Sequence, residues 1–173
     1  MRIIDCSYEQ HAGAILGILN EAIVSSTALY DYMPQPLESM VPWFETKRVG
    51  GFPVLGAVND DGALLGFATY GTFRARPAYK YSVEHSVYVA KEQRGKGFGF
   101  SLMQRLVARA IEQQKHVLVG GIDLSNRASV ALHEKLGFSH AGTIRHAGFK
   151  FGRWLDLAFY ELLLDTPDAP VDG

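Results

Sequence analysis

A run of polar residues and glycines in the middle of the chain has the types and spacing of an anion-binding site. Residues 84–99 read EHSVYVAKEQRGKGFG, and the apolar positions that follow recur at helical spacing. We therefore expect a strand, a glycine-rich loop and then a helix N-terminus. Backbone N–H groups at a helix N-terminus lack intrahelical partners, the helix dipole favours negative charge there, and glycine allows close approach to the backbone. The stretch therefore predicts a phosphate-binding site.

Two common phosphate-binding motifs do not fit this glycine loop. A Walker A loop requires Ser or Thr after its Gly-Lys pair, whereas Gly97 follows Lys96. A dinucleotide fingerprint requires its third glycine three residues after the second, and Gly95, Gly97 and Gly99 do not have that spacing. The pattern that remains is Arg-x-x-Gly-x-Gly, which begins at Arg94. The structural alternative is a helix start with flexible glycines and no ligand.

The strand before the loop presents two different faces. Side chains alternate between the faces of a strand, so Glu84, Ser86 and Tyr88 share one face and His85 lies on the other, among valines. We interpret His85 as a buried histidine with one hydrogen-bonded ring nitrogen. The polar face is therefore the one available to chemistry.

The composition is that of a globular protein without a nucleic-acid or membrane partner. The chain has 173 residues, of which 47% are hydrophobic and 20% charged, and its formal net charge is −1. No basic run indicates nucleic-acid binding, and no apolar run reaches the roughly 20 residues of a membrane helix. Cys6 is the one cysteine, Asp5 interrupts any signal-peptide core, and the histidines lack metal-ligand spacing. We expect a cytoplasmic protein with no metal.

The apolar periodicity predicts a single mixed sheet with helices on both faces. Strands are expected over residues 2–6, 54–58, 64–72, 82–89, 116–123, 139–149 and 154–164. Helices are expected from Ser7 to about Ser25 and over residues 37–48, 97–114 and 128–136, with Asn126 and Gly137 as caps of the last. In the second helix we expect Pro42 to introduce a kink or to mark the start, with Leu37 facing inward. Residues 1–164 are predicted to form one domain and residues 165–173 a loose tail.

Two motifs on these elements resemble the GNAT acetyltransferase superfamily, which binds acetyl-coenzyme A. The first, Arg94 to Gly99, resembles the pyrophosphate-binding loop. The second, N-x-x-S-x-x-x-H-x-K-x-G-F from Asn126 to Phe138, resembles the block after the fifth strand. The resemblance implies the GNAT acyl-CoA N-acyltransferase fold, an α/β fold with a mostly antiparallel mixed sheet that is splayed between the fourth and fifth strands.

Two further stretches resemble one branch of the superfamily. SVEHSVYV (residues 82–89) and FKFGRWLD (residues 149–156) are similar to phosphinothricin and methionine sulfoximine/sulfone acetyltransferases, and the likeness extends over residues 3–164. The Glu-His-Ser triplet resembles the sulfoximine type more than the phosphinothricin type. The loop at residues 29–32 departs from that type, which often has Ile-Trp there, so the pocket wall and the substrate can differ. The branch commonly forms homodimers, and the resemblance implies one here.

The resemblance implies an N-acetyltransferase that moves acetyl from acetyl-CoA to the α-amino group of a small amino-acid analogue, by direct attack through a tetrahedral intermediate. Glu84 would act as general base through a water, and His133 as the acid for the departing thiolate or as part of a proton relay. Backbone N–H groups of residues 87–89 would bind the oxyanion. The structural alternatives are that Glu84 bridges to a neighbouring strand and that His133 lies on a helix surface.

The remaining candidate residues divide between the two substrates. The predicted acetyl-CoA contacts are Val87, Tyr88, Val89, Arg94, Gly95, Lys96, Gly97, Phe98, Gly99, Phe100, Asn126 and Lys135. The predicted acceptor contacts are Tyr30, Tyr32, Arg74, Arg76, Glu84, Ser86 and Arg153.

Alternatives remain for these residues and for the function. The loop over residues 27–36 either walls the acceptor pocket or fills a gap in the core. Arg74 and Arg76 either meet the acceptor carboxylate or lie in a solvated loop. Acetylation of a protein N-terminus or a polyamine, and binding of acetyl-CoA without catalysis, are the other functions compatible with the sequence.

Overall fold

The computed structural model describes residues 1–172, which form a seven-stranded mixed sheet with helices on both faces. The strands are β1 Arg2–Asp5, β2 Val54–Val58, β3 Leu64–Thr72, β4 Ser82–Val89, β5 Val117–Asp123, β6 Ser139–Lys150 and β7 Arg153–Leu163. The α-helices are α1 Tyr8–Ser25, α2 Met40–Val49, α3 Phe98–Glu112 and α4 Arg127–Lys135. The strands lie in the order β1-β2-β3-β4-β5-β7-β6. The mixed sheet and the order of elements expected from the sequence are confirmed.

The site is created where β4 and β5 separate. These strands form the one parallel pair within residues 1–172, and their pairing ends at Glu84, which lies opposite Val119. Beyond that point β4 continues to pair with β3 as far as Val89, whereas β5 pairs with β7. The splay between the fourth and fifth strands is therefore confirmed.

The two faces of the sheet carry separate apolar layers. Leu102 and Leu106 of the amphipathic helix α3 are fully buried against one face, together with Tyr70. Ile15 of α1 and Met40 of α2 pack against the other face. Burial of such side chains is the main stabilising contribution to a fold of this kind. These contacts hold α3 and α1 on the sheet, and the N-terminus of α3 and the C-terminal end of α1 border the cavity at the splay.

Helix ends follow the capping signals in the sequence. The Ser7 hydroxyl accepts from the Gln10 N–H (3.4 Å) at the start of α1, and the Asn126 side chain accepts from the Ser129 N–H (3.2 Å) at the start of α4. Gly137, two residues after the end of α4, has φ +88°, a left-handed conformation that glycine adopts without strain. The predicted caps are therefore present.

Helix α2 differs from the expectation. It begins at Met40 after a 3₁₀ turn over Leu37–Ser39, so Pro42 does not mark its start. Pro42 lies in the first turn, where its missing N–H has no intrahelical acceptor to lose. The inward placement of Leu37 was also wrong, because its side chain is 49% exposed. Met40 provides the buried contact instead.

Residues 165–172 of the predicted tail have no regular secondary structure but contact the domain, and residue 173 lies outside the described residues. The Val171 N–H donates to the Tyr81 hydroxyl (3.1 Å), and a ring nitrogen of His116 lies 2.9 Å from the Thr166 carbonyl oxygen. No helix in the part of the chain that the structure describes is long and apolar enough to cross a membrane.

Candidate active site

Two adjacent cavities occupy the region where β4 and β5 diverge. The larger, about 700 Å³, runs past the glycine loop and the N-terminus of α3. The smaller, about 300 Å³, reaches Glu84 and Gly121. Thr27, Val87 and Asn126 line both cavities, so the two adjoin at the splay.

The larger cavity has the geometry of an anion cradle. Gly95 and Gly97 have φ of +77° and +88°, and no atom lies within 4 Å of the position that a Cβ would take at either residue. Gly97 is the N-cap of α3, and no side chain caps that end. The first N–H groups of the helix therefore remain available to an anion that the helix dipole favours.

The edge of β4 supplies further backbone donors. The Ala90 N–H donates to Leu65 of β3 (2.9 Å). Successive N–H groups of a strand point to opposite edges, so the Tyr88 N–H also faces β3, and those of Val87 and Val89 face the open edge. Of the three residues predicted as oxyanion donors, Val87 and Val89 thus have the suitable direction.

The basic residues around the glycine loop already have partners. The Arg94 guanidinium pairs with Glu21 of α1 and donates to the Val89 carbonyl oxygen (3.1 Å). Lys96 donates to the Gln93 side chain (3.0 Å), and the Lys135 ammonium lies 4.7 Å from the centre of the Phe100 ring. Arg94 lines the larger cavity, whereas Lys96 and Lys135 do not. Contacts of these three side chains with a cofactor remain predictions.

Glu84 projects into the smaller cavity. Its Oε1 lies 3.5 Å from the position of a Cβ at Gly121, so this glycine of β5 borders the carboxylate. Burial raises the pKa of Glu84 above its usual 4.5, and the nearby positive charge of Arg74 opposes that rise. Within residues 1–172 Glu84 has no salt bridge, and its carboxylate thus has the free lone pairs that a general base needs.

Some of the other predicted acceptor residues line the smaller cavity with Glu84, and others do not. Tyr30 and Ser86 line the smaller cavity with it. Tyr32 and the exposed Arg74 and Arg76 do not line it.

His133 and His85 both line the smaller cavity, although each residue is almost fully buried. The His133 side chain is 2% exposed, its Nδ1 is 2.7 Å from the Ser129 carbonyl oxygen, and its Nε2 is 3.1 Å from Nε2 of His85. Burial lowers the pKa values of both histidines, and that of His85 reaches about 3. The interpretation of His85 as buried with one bonded nitrogen agrees with these contacts, because its Nδ1 has no partner among the described residues.

Comparison with known proteins identifies the family. Residues 19–138 match the acetyltransferase (GNAT) family. The chain belongs to the GNAT acetyltransferase family.

Individual GNAT relatives cover nearly all of the chain. An L-methionine sulfoximine/L-methionine sulfone acetyltransferase of Pseudomonas aeruginosa is 45% identical over 157 residues, 90% of this chain and 91% of the relative. A phosphinothricin N-acetyltransferase of Streptomyces coelicolor is 35% identical over 155 residues, 88% of this chain and 91% of the relative. The structure of yncA from Salmonella typhimurium with its cofactor acetyl-CoA has a TM-score of 0.93 and 37% identity, and covers 99% of this chain and 98% of that one.

The larger cavity of this GNAT protein fits acetyl-CoA. Its open glycine cradle and uncapped helix N-terminus suit a pyrophosphate, and the free edge of β4 suits the amides of a pantetheine arm, which need backbone partners. We find no cluster of three or more potential metal ligands in the 172 residues described.

One residue of the site, Asp123 at the end of β5, was missed in the sequence. Its carboxylate accepts from the Thr27 hydroxyl, from Ser125 and from Arg153 (3.1 Å). Burial opposes ionisation, but these hydrogen bonds outweigh it and lower the pKa of Asp123. Arg153, predicted as an acceptor contact, lines the larger cavity and holds Asp123. The signal available was an acidic residue at the carboxyl end of a strand, three residues before the capping Asn126.

Proposed function

We propose that this protein acetylates the α-amino group of methionine sulfoximine, methionine sulfone or a closely related amino acid such as phosphinothricin, with acetyl-CoA as donor. The observation that carries the proposal is the position of Glu84. Its free carboxylate lies in the smaller cavity, at the last paired residue of β4 before the splay. A base there reaches an acceptor that enters from the smaller cavity while the acyl donor occupies the larger one.

Different groups of the chain would remove the amine proton and bind the oxyanion. Acetyl-CoA supplies the thioester carbonyl that the amine attacks. A free α-amino group has a pKa of about 8, so Glu84 has only to remove a proton from a partly neutral amine, directly or through a water. The N–H groups of Val87 and Val89 lie on the cleft edge of β4, where they can donate to the developing oxyanion.

His133 fits the role of a proton relay better than that of a direct acid. Its two ring nitrogens contact Ser129 and His85, and its lowered pKa keeps the ring neutral at pH 7. A neutral ring with both nitrogens engaged has no proton to release directly to a thiolate. We therefore propose that His133 acts through its hydrogen-bonded partners.

The proposed class of acceptor is supported by the names of the relatives and by the positive charge of Arg74 near Glu84. Two relatives that cover about nine-tenths of the chain are named for methionine sulfoximine and methionine sulfone and for phosphinothricin. The positive charge of Arg74 acts on Glu84, and this proximity favours an acceptor with a carboxylate beside its amine. Tyr30 provides an aromatic wall for the acceptor side chain.

We further propose a cytoplasmic homodimer. Phe149 of β6 and Trp154 of β7 are cross-strand partners that are 46% and 57% exposed, and their ring centres lie 5.1 Å apart. An apolar group of this kind on a sheet face is typical of a protein interface. The single free cysteine supports a reducing compartment. Sedimentation at micromolar concentration tests the dimer, with Trp154→Lys as the variant expected to be monomeric.

Release of the coenzyme A thiol tests the proposed reaction. Methionine sulfone and phosphinothricin are compared as acceptors at equal concentration, with an acceptor-free reaction as the blank. Turnover on either supports the proposal, and the ratio of the two kcat/KM values identifies the preferred type. Tight acetyl-CoA binding without turnover on either acceptor would contradict it and direct the search to peptides and polyamines.

A further inference from the structure

Lys150, the last residue of β6, is a buried lysine with an unusual set of partners. Its side chain is 4% exposed, and its ammonium donates to the carbonyl oxygens of Ile23 (2.7 Å), Ser26 (3.0 Å) and Leu29 (2.6 Å). An ammonium has three N–H donors, so three carbonyl oxygens satisfy it completely. No carboxylate within residues 1–172 forms a salt bridge with it.

These carbonyl groups belong to the end of α1 and to the loop that follows it. Carbonyl groups in the last turn of a helix lack intrahelical partners, and the helix dipole places negative charge there. Lys150 joins this end of α1 to the Leu29 carbonyl oxygen in the loop. Removing an ammonium from water is costly, so the three bonds hold the loop backbone in one position.

The same end of β6 contacts the loop at two more points. A Cβ at Gly148 would lie only 2.7 Å from the Tyr30 ring, which is closer than such atoms can approach. Only glycine therefore permits this packing. The Tyr32 hydroxyl donates to the Phe149 carbonyl oxygen (2.7 Å). Three consecutive residues, 148–150, thus hold the loop over residues 26–32.

The loop is part of the proposed acceptor site. Residues 27–30 line the smaller cavity that contains Glu84. The Thr27 hydroxyl donates to Asp123, which fixes the opposite end of the loop to β5. A shift of the Leu29 carbonyl group would move Tyr30 relative to Glu84, although Lys150 itself touches neither cavity.

We propose that Lys150 is a positioning residue for the acceptor: its ammonium holds residues 26–32 in the conformation that forms the wall opposite Glu84, and so sets acceptor affinity. The inference rests on the proposed function, because it assigns the smaller cavity to the acceptor. It gives a role to the lysine in the FKFGRWLD stretch, which the chemistry of the site does not use.

The test is a comparison of steady-state kinetics for Lys150→Met, Lys150→Arg and Lys115→Met. Methionine retains the length and apolar stem of lysine but removes all three donors, so we expect the KM for methionine sulfone to rise at least tenfold. The KM for acetyl-CoA should stay within twofold. Arginine should restore part of the acceptor affinity. Lys115 is the matched control, because it donates to one carbonyl oxygen, that of Lys80 (3.1 Å), away from both cavities.

A second variant covers the case in which Lys150→Met does not fold. Gly148→Ala leaves Lys150 intact and displaces Tyr30, so it should raise the acceptor KM in the same direction. A Lys150→Met protein that is less stable but has an unchanged acceptor KM would overturn the proposal, since the lysine would then be only structural. An unchanged acceptor KM in Gly148→Ala would overturn it equally.

Hydrogen exchange separates this proposal from the proposed function. If the wild type acetylates none of the amino-acid acceptors, the proposed function fails, and exchange of the backbone amides of residues 26–32 still reports on Lys150. Faster exchange confined to these residues in Lys150→Met supports the positioning role. Exchange equal to that of the wild type overturns it.

Discussion

Nε2 of His85 and Nε2 of His133 lie 3.1 Å apart inside the core, so one ring donates to the other. The contact of His133 Nδ1 with the Ser129 carbonyl oxygen requires a proton on Nδ1, because a carbonyl oxygen only accepts. In the neutral ring Nε2 of His133 is then the acceptor, and Nε2 of His85 is the donor. This chain of bonds assigns both tautomers, and it requires a neutral His133 ring, because Nε2 of His133 must accept.

The first prediction is that acid destabilises the protein through this pair. Unfolded histidine binds a proton near pH 6.5, whereas the pKa of folded His85 is about 3, so the unfolded state binds more protons between these values. The free energy of unfolding therefore rises with pH across that window and decreases on acidification. From about pH 6.5 to about pH 5 His85 alone should cost about 2 kcal/mol, at about 1.36 kcal/mol per pH unit. Urea unfolding at a series of pH values measures this slope.

The control for this slope is a pair of glutamine variants. His85→Gln keeps an N–H donor towards His133 but does not titrate, so its stability should depend less on pH than that of the wild type. His140 lies on the exposed part of β6, and His140→Gln should retain the full slope. Equal slopes for the wild type and His85→Gln would show that His85 is not the titrating group.

The second prediction concerns Glu84 as general base. Glu84→Gln removes proton acceptance with little change in shape, so kcat should fall by about 100- to 10,000-fold, the usual contribution of general acid–base catalysis. The KM for acetyl-CoA should change little, because Glu84 lines only the smaller cavity. Steady-state kinetics with both substrates varied measures the effects on kcat and on the KM for acetyl-CoA separately. A residual kcat within threefold of the wild type would exclude Glu84 as the base.

The third prediction follows from the effect of Arg74 on that carboxylate. The rate should fall on acidification through a pKa above 4.5, because burial raises the pKa of Glu84. The charge of Arg74 lowers this pKa, so Arg74→Gln should move the acidic limb of the kcat/KM profile to higher pH. Arg105→Gln is the control, since Arg105 is an exposed residue of α3 paired with Glu112. An acidic limb at the same pH in Arg74→Gln would contradict the coupling.

The fourth prediction concerns Gly97 at the start of α3. An alanine there meets no atom within 4 Å, so the left-handed φ of +88° is the only source of strain, at about 1 to 2 kcal/mol. We expect Gly97→Ala to raise the KM for acetyl-CoA several-fold as the loop relaxes, with the acceptor KM unchanged. Gly13→Ala, on the exposed face of α1, should be neutral or stabilising. An unchanged acetyl-CoA KM in Gly97→Ala would argue against the cradle.

The fold was predictable from the sequence because its signals are local. Strands β2, β3 and β4 have the predicted limits, since alternation and turn residues bound them directly. The start of α1 at Ser7 was also predictable from the sequence, because the Ser7 hydroxyl accepts from the N–H of a residue only three positions away. The start of α2 was not, because it depends on the burial of Met40 against α1 and β3, which are distant in sequence.

The candidate site was predictable only where its signals are local in the sequence. The glycine loop carries its signal in adjacent residues, whereas Glu84 was singled out through the resemblance of the stretch around it, and the roles of both stay predictions. The role of Asp123 depends on Thr27, 96 positions earlier, and that of Lys150 depends on carbonyl groups more than 120 positions earlier. Backbone carbonyl groups have no residue signature, so the pattern around Lys150 gave no indication of its partners.

The last prediction uses two adjacent glycines of β5 that face opposite sides of the sheet. A Cβ at Gly120 would lie 2.4 Å from Cε1 of the buried His85 ring, whereas one at Gly121 would lie 3.5 Å from Oε1 of Glu84 and 3.2 Å from the end of the Leu157 side chain. Gly120→Ala should therefore overpack the core and cost about 1 to 3 kcal/mol of unfolding free energy.

Gly121→Ala should instead leave stability nearly unchanged, because the Leu157 side chain can move, and reduce kcat/KM for the acceptor by narrowing the cavity beside Glu84. Urea unfolding and acceptor kinetics on both variants measure the two effects. The adjacent positions serve as controls for each other, since both changes add one methyl group to the same strand. Loss of stability in Gly121→Ala with unaltered acceptor kinetics would mean that the space beside Glu84 belongs to the core and not to the acceptor.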